Sequence, residues 1–347
     1  MSLRKASVIV AGSWGTALAS VLADNGYQVS LWTRNADQAK EINSERKNSK
    51  YSGDLPLHEQ IAATVSMEEA LAGAELALFV APSSAMRSVA KAANPFLEPS
   101  ALVIHATKGF EPVTKKRMTE VMAEELTRIE PSRLTVLSGP SHAEEVIRKL
   151  PATVVVASER EEAAQAAQDA LMNRYFRVYT NADVTGVEVA GALKNIIALG
   201  AGMSDGLGYG DNAKAALLTR GLAEITRLGV AMGGNVLTFA GLSGVGDLVV
   251  TCTSKHSRNW RAGFMLGQGK PLEEVLTSMN MVVEGIKTTE TAFALAQKHG
   301  VTMPITEQLH QVLFAGKPPH IAVEELMGRM KTNEIDELTD GKQAGQV

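Results

Sequence analysis

The sequence predicts an α/β chain in two parts, a doubly wound and mainly parallel sheet at the N-terminus followed by an all-α domain. Three observations carry this reading. Short apolar runs rich in β-branched residues recur through the first half and mostly alternate with stretches of helical periodicity. A glycine-containing turn joins the first such run to a helix, and beyond Asn181 the apolar pattern is helical throughout.

The first strand is expected over 7–10, the first helix over 16–23 with Asn25-Gly26 as its stop, and the second strand over 29–32. The joining segment reads Val8-Ile9-Val10-Ala11-Gly12-Ser13-Trp14-Gly15-Thr16-Ala17-Leu18-Ala19. In a full G-x-G-x-x-G the glycines serve a tight turn, close approach of a pyrophosphate, and close packing of helix on strand. Gly12 and Gly15 keep the second and third roles, while Val10 stands where the first glycine belongs. Strand, turn, helix and strand in this order aim the N–H groups around Ser13 to Gly15 at a bound anion, the arrangement of a Rossmann-type dinucleotide site. A β-branched residue at positive φ costs about 1 kcal/mol or more; if the turn relaxes outward it holds a pyrophosphate less snugly, and Val10→Gly is then expected to lower the Michaelis constant for the dinucleotide.

Further strands are expected over 62–65, 76–80, 102–105, 134–137, 153–157 and 176–179. Ser66-Met67-Glu68-Glu69 reads as a capping box opening one of the intervening helices. The change of pattern sets a boundary near residue 183, giving a sheet domain over 1–183, a helical domain over 184–332 and a polar tail over 333–347. Neither an internal repeat nor a low-complexity segment interrupts this organisation.

The chain has 347 residues, 45% of them hydrophobic and 21% charged, enough for a large core. A net charge of −4 gives no electrostatic footprint for nucleic acid or an anionic membrane. No signal peptide or uninterrupted apolar run of about 18 residues is evident, so no membrane insertion is expected. The single Cys252 excludes an internal disulfide, fits a reducing cytoplasm, and reads as a buried small hydrophobe. The seven histidines are scattered without ligand spacing, so no metal site is expected.

Ligands of open α/β sheets bind beyond the carboxyl ends of the strands. Three such ends carry polar residues: Val80-Ala81-Pro82-Ser83, His105-Ala106-Thr107-Lys108-Gly109, and Ser138-Gly139-Pro140-Ser141-His142-Ala143-Glu144-Glu145. Lys108 lies where a substrate or nicotinamide could meet it, Gly139 allows close approach to the backbone, and Ser141 is a candidate cap for a helix starting at His142. After the second strand stand Thr33 and Arg34 rather than an acid. Nothing there repels a 2′-phosphate, and Arg34 could pair with one, so NADP is expected to be accepted alongside NAD.

In the helical part, Lys194 and Asn195 are anomalous within an otherwise apolar helix over 187–199. A lysine there either snorkels to the surface or sits desolvated, which lowers its pKa toward the range useful for proton transfer. Asp247 and Thr251, four apart, share a face if their segment is helical; Asp247 as a helix cap and Thr251 as a core residue is the alternative. Ser257-Arg258-Asn259 gathers a hydroxyl, a guanidinium fork and an amide, a set suited to phosphate.

With these motifs in order, the chain resembles the bacterial NAD(P)-dependent sn-glycerol-3-phosphate dehydrogenase family. The resemblance runs from GSWGTALA through TKG (107–109), LSGPSHAEEV (137–146), GALKNIIALGAGM (191–203), NAKAALLTRGLAEITRLG (212–229), GLSGVGDLVVTCTS (241–254), SRN (257–259), VVEG (282–285) and MPITE (303–307). It implies dinucleotide contacts from Ser13, Trp14, Arg34, Lys108, Ala143, Arg258, Val282 and Glu284, beside Gly12 and Gly15 of the turn. It implies substrate contacts from Lys108, Gly139, Ser141, Lys194, Asp247, Ser257, Arg258 and Asn259. Lys194 is implied as the proton-transfer residue, with Asn195 and Thr251 lining the same site and Lys108 polarising the substrate carbonyl.

The reaction implied interconverts dihydroxyacetone phosphate and sn-glycerol 3-phosphate, supplying phospholipid synthesis, in a cytoplasmic homodimer. The alternatives are a related 2-hydroxyacid-type dehydrogenase, which should lack the Ser257-Arg258-Asn259 trio, and a non-catalytic dinucleotide sensor, which would not explain Lys108, Lys194 and Asp247 together.

Overall fold

The computed structural model describes residues 4–279, 282–331 and 333–334; the remainder of the expected polar tail lies outside the described residues. The chain divides into two compact units. One runs to Glu111 and resumes over Lys116–Val184, and the other takes Pro112–Lys115 and the chain from Thr185 onward.

The first unit is built on eight strands: β1 (Arg4–Ile9), β2 (Tyr27–Trp32), β3 (Ile61–Thr64), β4 (Leu76–Phe79), β5 (Leu102–His105), β6 (Thr135–Ser138), β7 (Ala152–Ala157) and β8 (Phe176–Asn181). They lie in the order β3-β2-β1-β4-β5-β6-β7-β8, all pairs parallel except β6 with β7. The strand order turns back at β1, whose Ile9 pairs with Trp32 on one side and Phe79 on the other. A crevice at such a switch point is where open α/β sheets bind ligands.

Because successive strand residues face opposite ways, Val8 joins a core with Leu18, Leu22 and Leu31, while Ile9 joins another with Phe79, Met86 and Met122. Both faces are therefore buried, which is why these strands read as continuous apolar runs.

Local signals near the strand ends resolve less simply. Ser66 accepts the Glu69 N–H at 3.2 Å, as a capping box requires. The Glu69 carboxylate, however, takes the Thr64 hydroxyl at 2.6 Å, and Ser66 N–H turns to that same threonine. Only half of the expected box forms, because a strand residue outcompetes the helix's own amide.

Val10 also departs from expectation. Its φ is +89°, so the turn keeps the path a glycine would take rather than relaxing outward. The reason lies in its partners: Val10 and Ala11 both donate their N–H to the Trp32 carbonyl at 3.1 Å. Gly15 completes the constraint, since a Cβ there would lie 2.1 Å from the Val10 carbonyl oxygen.

The second unit shows no strand among its described residues. Its central helix, Val184–Gly206, is apolar on nearly every side because it is surrounded by protein. Its most apolar stretch averages 1.3 in hydropathy and is 94% buried. Long helices at Asp211–Ala231, Glu284–His299 and Pro304–Phe314 accompany it.

The Arg258–Gly267 helix meets the central one along small residues. A Cβ on Gly202 would lie 1.9 Å from the Trp260 carbonyl oxygen, and one on Gly263 would lie 1.9 Å from that of Leu199. Backbone therefore touches backbone, and this seam holds the start of the Arg258–Gly267 helix beside Lys194 and Asn195.

Candidate functional site

In the first unit the polar groups are mostly backbone. The helix Ser13–Asp24 begins on Gly12 without any side-chain cap, so its first N–H groups keep no protein acceptor from that source. A Cβ on Gly12 would meet nothing within 4 Å. An open approach to bare amides at a helix start suits the pyrophosphate of a dinucleotide, and Ser13, Trp14 and Gly15 are the residues that would hold it.

The turn is fixed from behind. Buried Asn48 donates to the Ala11 carbonyl at 3.2 Å and to the Thr16 hydroxyl at 2.8 Å, and Gln38 reaches the same carbonyl at 2.7 Å. Trp14 packs inward, its ring 6.4 Å from that of Phe176.

Beside the turn is a cleft of about 720 Å³ whose walls include Val10, Gly12, Arg34, Gln38, Lys50 and Tyr51. Arg34 is exposed there. Lys50 and Tyr51 drew no attention in the sequence because they lie in a four-residue helix, Ser49–Ser52, with no motif around them.

The ends of β5 and β6 lie together. The Lys108 ammonium donates to the Gly139 carbonyl at 3.0 Å, and the Ser141 hydroxyl donates to the same oxygen at 2.9 Å. Ser141 does not cap the next helix. That helix is Ala143–Val146 with His142 as its N-cap position, one residue later than expected, and the hydroxyl has turned back to Gly139. Gly139 itself has φ +123°, and a Cβ there would press on Val154 at 3.0 Å. Ala143, half-buried, opens the short helix.

In the second unit the polar groups are side chains enclosed in helix packing. Lys194 does not snorkel: it is 5% exposed, and its ammonium donates to Asp247 Oδ1 at 2.5 Å and to Thr251 Oγ1 at 2.6 Å. Asp247 is 1% exposed and is the first residue of the helix Asp247–Thr253, not its cap. A π-helical turn, Leu242–Gly246, precedes it and re-aims the chain so that the carboxylate points inward. Thr251 does share its face, its hydroxyl donating to the Asp247 carbonyl at 2.6 Å while accepting from Lys194.

A buried cation is tolerable here because a carboxylate compensates it and a hydroxyl completes its hydrogen bonds. The free Cys252 beside this cluster is buried, and that burial pushes its thiol up to about 12, which leaves it a packing residue.

Ser257, Arg258 and Asn259 open the Arg258–Gly267 helix. Ser257 is its N-cap, accepting Trp260 N–H at 3.2 Å; Arg258 is exposed at the first position. Asn259 is mostly committed to its neighbours. Its amide donates to Asn195 Oδ1 at 2.9 Å and accepts Gly285 N–H at 2.9 Å, leaving one N–H for a ligand. That link ties the Lys194 helix to the start of the Glu284–His299 helix, where Glu284 and the exposed Val282 lie.

Residues 5–164 of this chain match the family described as NAD-dependent glycerol-3-phosphate dehydrogenase N-terminus, and residues 183–324 match the corresponding C-terminus. A Geobacillus thermodenitrificans protein named glycerol-3-phosphate dehydrogenase [NAD(P)+] is 57% identical over 96% of this chain and 97% of its own length. The Bacillus subtilis protein of the same name is 53% identical over 97% and 98%. The crystal structure of glycerol-3-phosphate dehydrogenase from Coxiella burnetii superposes with a TM-score of 0.89 at 40% identity, covering 94% of this chain and 99% of that one. Matches spanning both units at this identity decide the family over the 2-hydroxyacid-type and sensor alternatives: the chain belongs to the NAD-dependent glycerol-3-phosphate dehydrogenases.

Proposed function

We propose that this protein interconverts dihydroxyacetone phosphate and sn-glycerol 3-phosphate, with NAD or NADP as hydride carrier and Lys194 as proton donor and acceptor. The observation that carries this is the enclosed lysine, whose ammonium lies 2.5 Å from the Asp247 carboxylate in a chain of this family. The nicotinamide, when bound, supplies a hydride to the carbonyl carbon. The oxygen that becomes an alcohol needs a proton, and Lys194 Nζ gives it; in the reverse direction the neutral amine takes it back.

Asp247 and Thr251 hold the Lys194 amine in one orientation, so its transfer needs no reorganisation of solvent. Lys108 is the second cation we assign to the substrate oxygen. Arg258, Asn259 and Ser257 at their helix start bind the phosphate, and that remote binding energy positions the carbonyl. Gly139 and Ser141 complete the substrate contacts. Ser13, Trp14, Arg34, Ala143, Val282 and Glu284 complete those to the dinucleotide, with Thr33 and Arg34 rather than an acid directly after β2 and with Asp37 and Glu41 further along the same cleft. Family membership further supports a cytoplasmic homodimer that serves phospholipid synthesis.

Substituting Lys194→Met tests the assignment. Turnover should fall by about 10²- to 10⁴-fold while dinucleotide binding, followed by nicotinamide fluorescence, stays nearly intact. Retained turnover would remove Lys194 from the proton-transfer role.

A further inference from the structure

The segment that carries Lys108 is held by a charge cluster on which no part of the proposed reaction draws. Arg87, on the helix Met86–Ala93, grips Glu111 with a two-pronged fork, Nε to Oε1 at 2.5 Å and Nη2 to Oε2 at 2.9 Å. Its Nη1 donates to Glu125 at 2.7 Å and its Nη2 lies 2.8 Å from Glu124, which also pairs with Lys116. One guanidinium thus gathers three carboxylates, two of them from the last turn of the helix Met118–Glu125.

The third, Glu111, is only 9% exposed at its side chain and lies three residues beyond Lys108. Its N–H closes onto the Lys116 carbonyl at 2.9 Å, and Phe110 beside it is buried and bridged to Arg117. On the other side of Lys108, the Thr107 hydroxyl is anchored to the Ala81 carbonyl at 2.6 Å.

Lys108 and Gly109 are therefore suspended between two anchors, one a hydroxyl in the sheet and one the Arg87 fork. A cluster with three acids around one arginine is an expensive way to stabilise a partly exposed surface, since ion pairs there contribute little. Its distinguishing property is direction: a bidentate fork fixes the angle of its carboxylate as well as its distance.

We propose that Arg87 is a positioning residue for the dehydrogenase reaction, holding Glu111 so that the Lys108 ammonium stays aimed at the substrate. The inference rests on the role assigned to Lys108 above. Lysine in place of Arg87 keeps the charge but cannot fork to Glu111 while reaching Glu124 and Glu125, so the loop loses its fixed angle.

The test is a double-mutant cycle on kcat with dihydroxyacetone phosphate, using Arg87→Lys, Glu111→Gln and Lys108→Ala, with thermal melts on each variant. Arg87→Lys should lower kcat by about 10- to 100-fold, the scale of a displacement near 1 Å of a reacting group. Glu111→Gln should do the same, and it carries the test if Arg87→Lys does not fold. In the Lys108→Ala background either change should alter the residual rate by less than about twofold, because the group being positioned is gone.

Equal fold-losses in both backgrounds would mean a general structural role and overturn the proposal. So would full activity of both Arg87→Lys and Glu111→Gln beside an impaired Lys108→Ala. Full activity of Lys108→Ala would instead overturn the role of Lys108 itself, and the positioning role with it.

Discussion

The two units prepare a site in opposite ways. In the first, the candidate groups are backbone amides at a helix start together with Arg34, Lys108 and Ser141 on loops at strand ends, half-buried or exposed, with Asn48 working from behind. In the second they are side chains, with Lys194, Asp247 and Thr251 all 5% exposed or less and bonded to one another. A backbone site depends on the path of the chain, and Val10 shows how far a side chain can deviate while the path holds. A side-chain site depends on helix packing, where a single added carbon changes which residues meet.

The largest effect expected from breaking this contrast is at the helix seam. Gly202→Val places its Cβ on the Trp260 carbonyl, 1.9 Å away, and the two helices must separate. Chemical denaturation should show a loss of at least about 3 kcal/mol, and activity should fall because Asn259 and Asn195 lose their bond. A variant of near-native stability would mean the seam is looser than the backbone contacts indicate.

Next is Glu224, enclosed in the second unit and 1% exposed. Burial pushes its carboxyl up from 4.5 to about 7, against the opposing pull of the Ile305 and Thr306 N–H groups and the Thr306 hydroxyl that donate to it. The unfolded chain releases this proton near pH 4.5 while the folded one retains it until about 7. Stability should therefore fall as pH rises across that window, by about 3 kcal/mol from this group, and level off above it. Denaturation midpoints at pH 5, 6, 7 and 8 should show the slope in the native chain and a flatter profile in Glu224→Gln; matching profiles would count against it.

The smallest effect belongs to the backbone site. Val10→Gly relieves a positive φ but loosens the unfolded chain, for a net gain under about 1 kcal/mol. Since the turn already follows the glycine path, the Michaelis constant for the dinucleotide should change little. A severalfold drop would show that the valine side chain, which lines the cleft, obstructs the cofactor after all.

What could be read from sequence follows the same division. All eight strands were visible as apolar runs, within two residues at their ends except where β1 begins three residues earlier, because local periodicity reports burial on both faces. Lys194 and Asn195 stood out because polar residues interrupt an apolar helix.

Asp247, Thr251 and Asn259 were legible as candidates too, but not as the groups these two side chains bond. Asp247 is 53 residues from Lys194, and the π-turn that aims it announces itself only as Gly241, Gly244 and Gly246 in close succession. The glycine spacing 202–206 and 263–267 could have suggested the seam, since small residues four apart on two helices permit close approach. Ser141 and Glu69 went elsewhere than their capping patterns indicate, each drawn to a nearby group that spacing alone does not locate. The Arg87 fork left no trace in local sequence at all, its partners lying 24 to 38 residues away.

The central claim is the proposed reaction, reduction of one phosphorylated ketone by a nicotinamide dinucleotide. It is tested most directly by following oxidation of NADH and of NADPH with dihydroxyacetone phosphate, beside a panel of 2-oxo acids. Rapid oxidation with the phosphate ester, and little with the acids, is the predicted result. No reaction with the ester under either cofactor would contradict it.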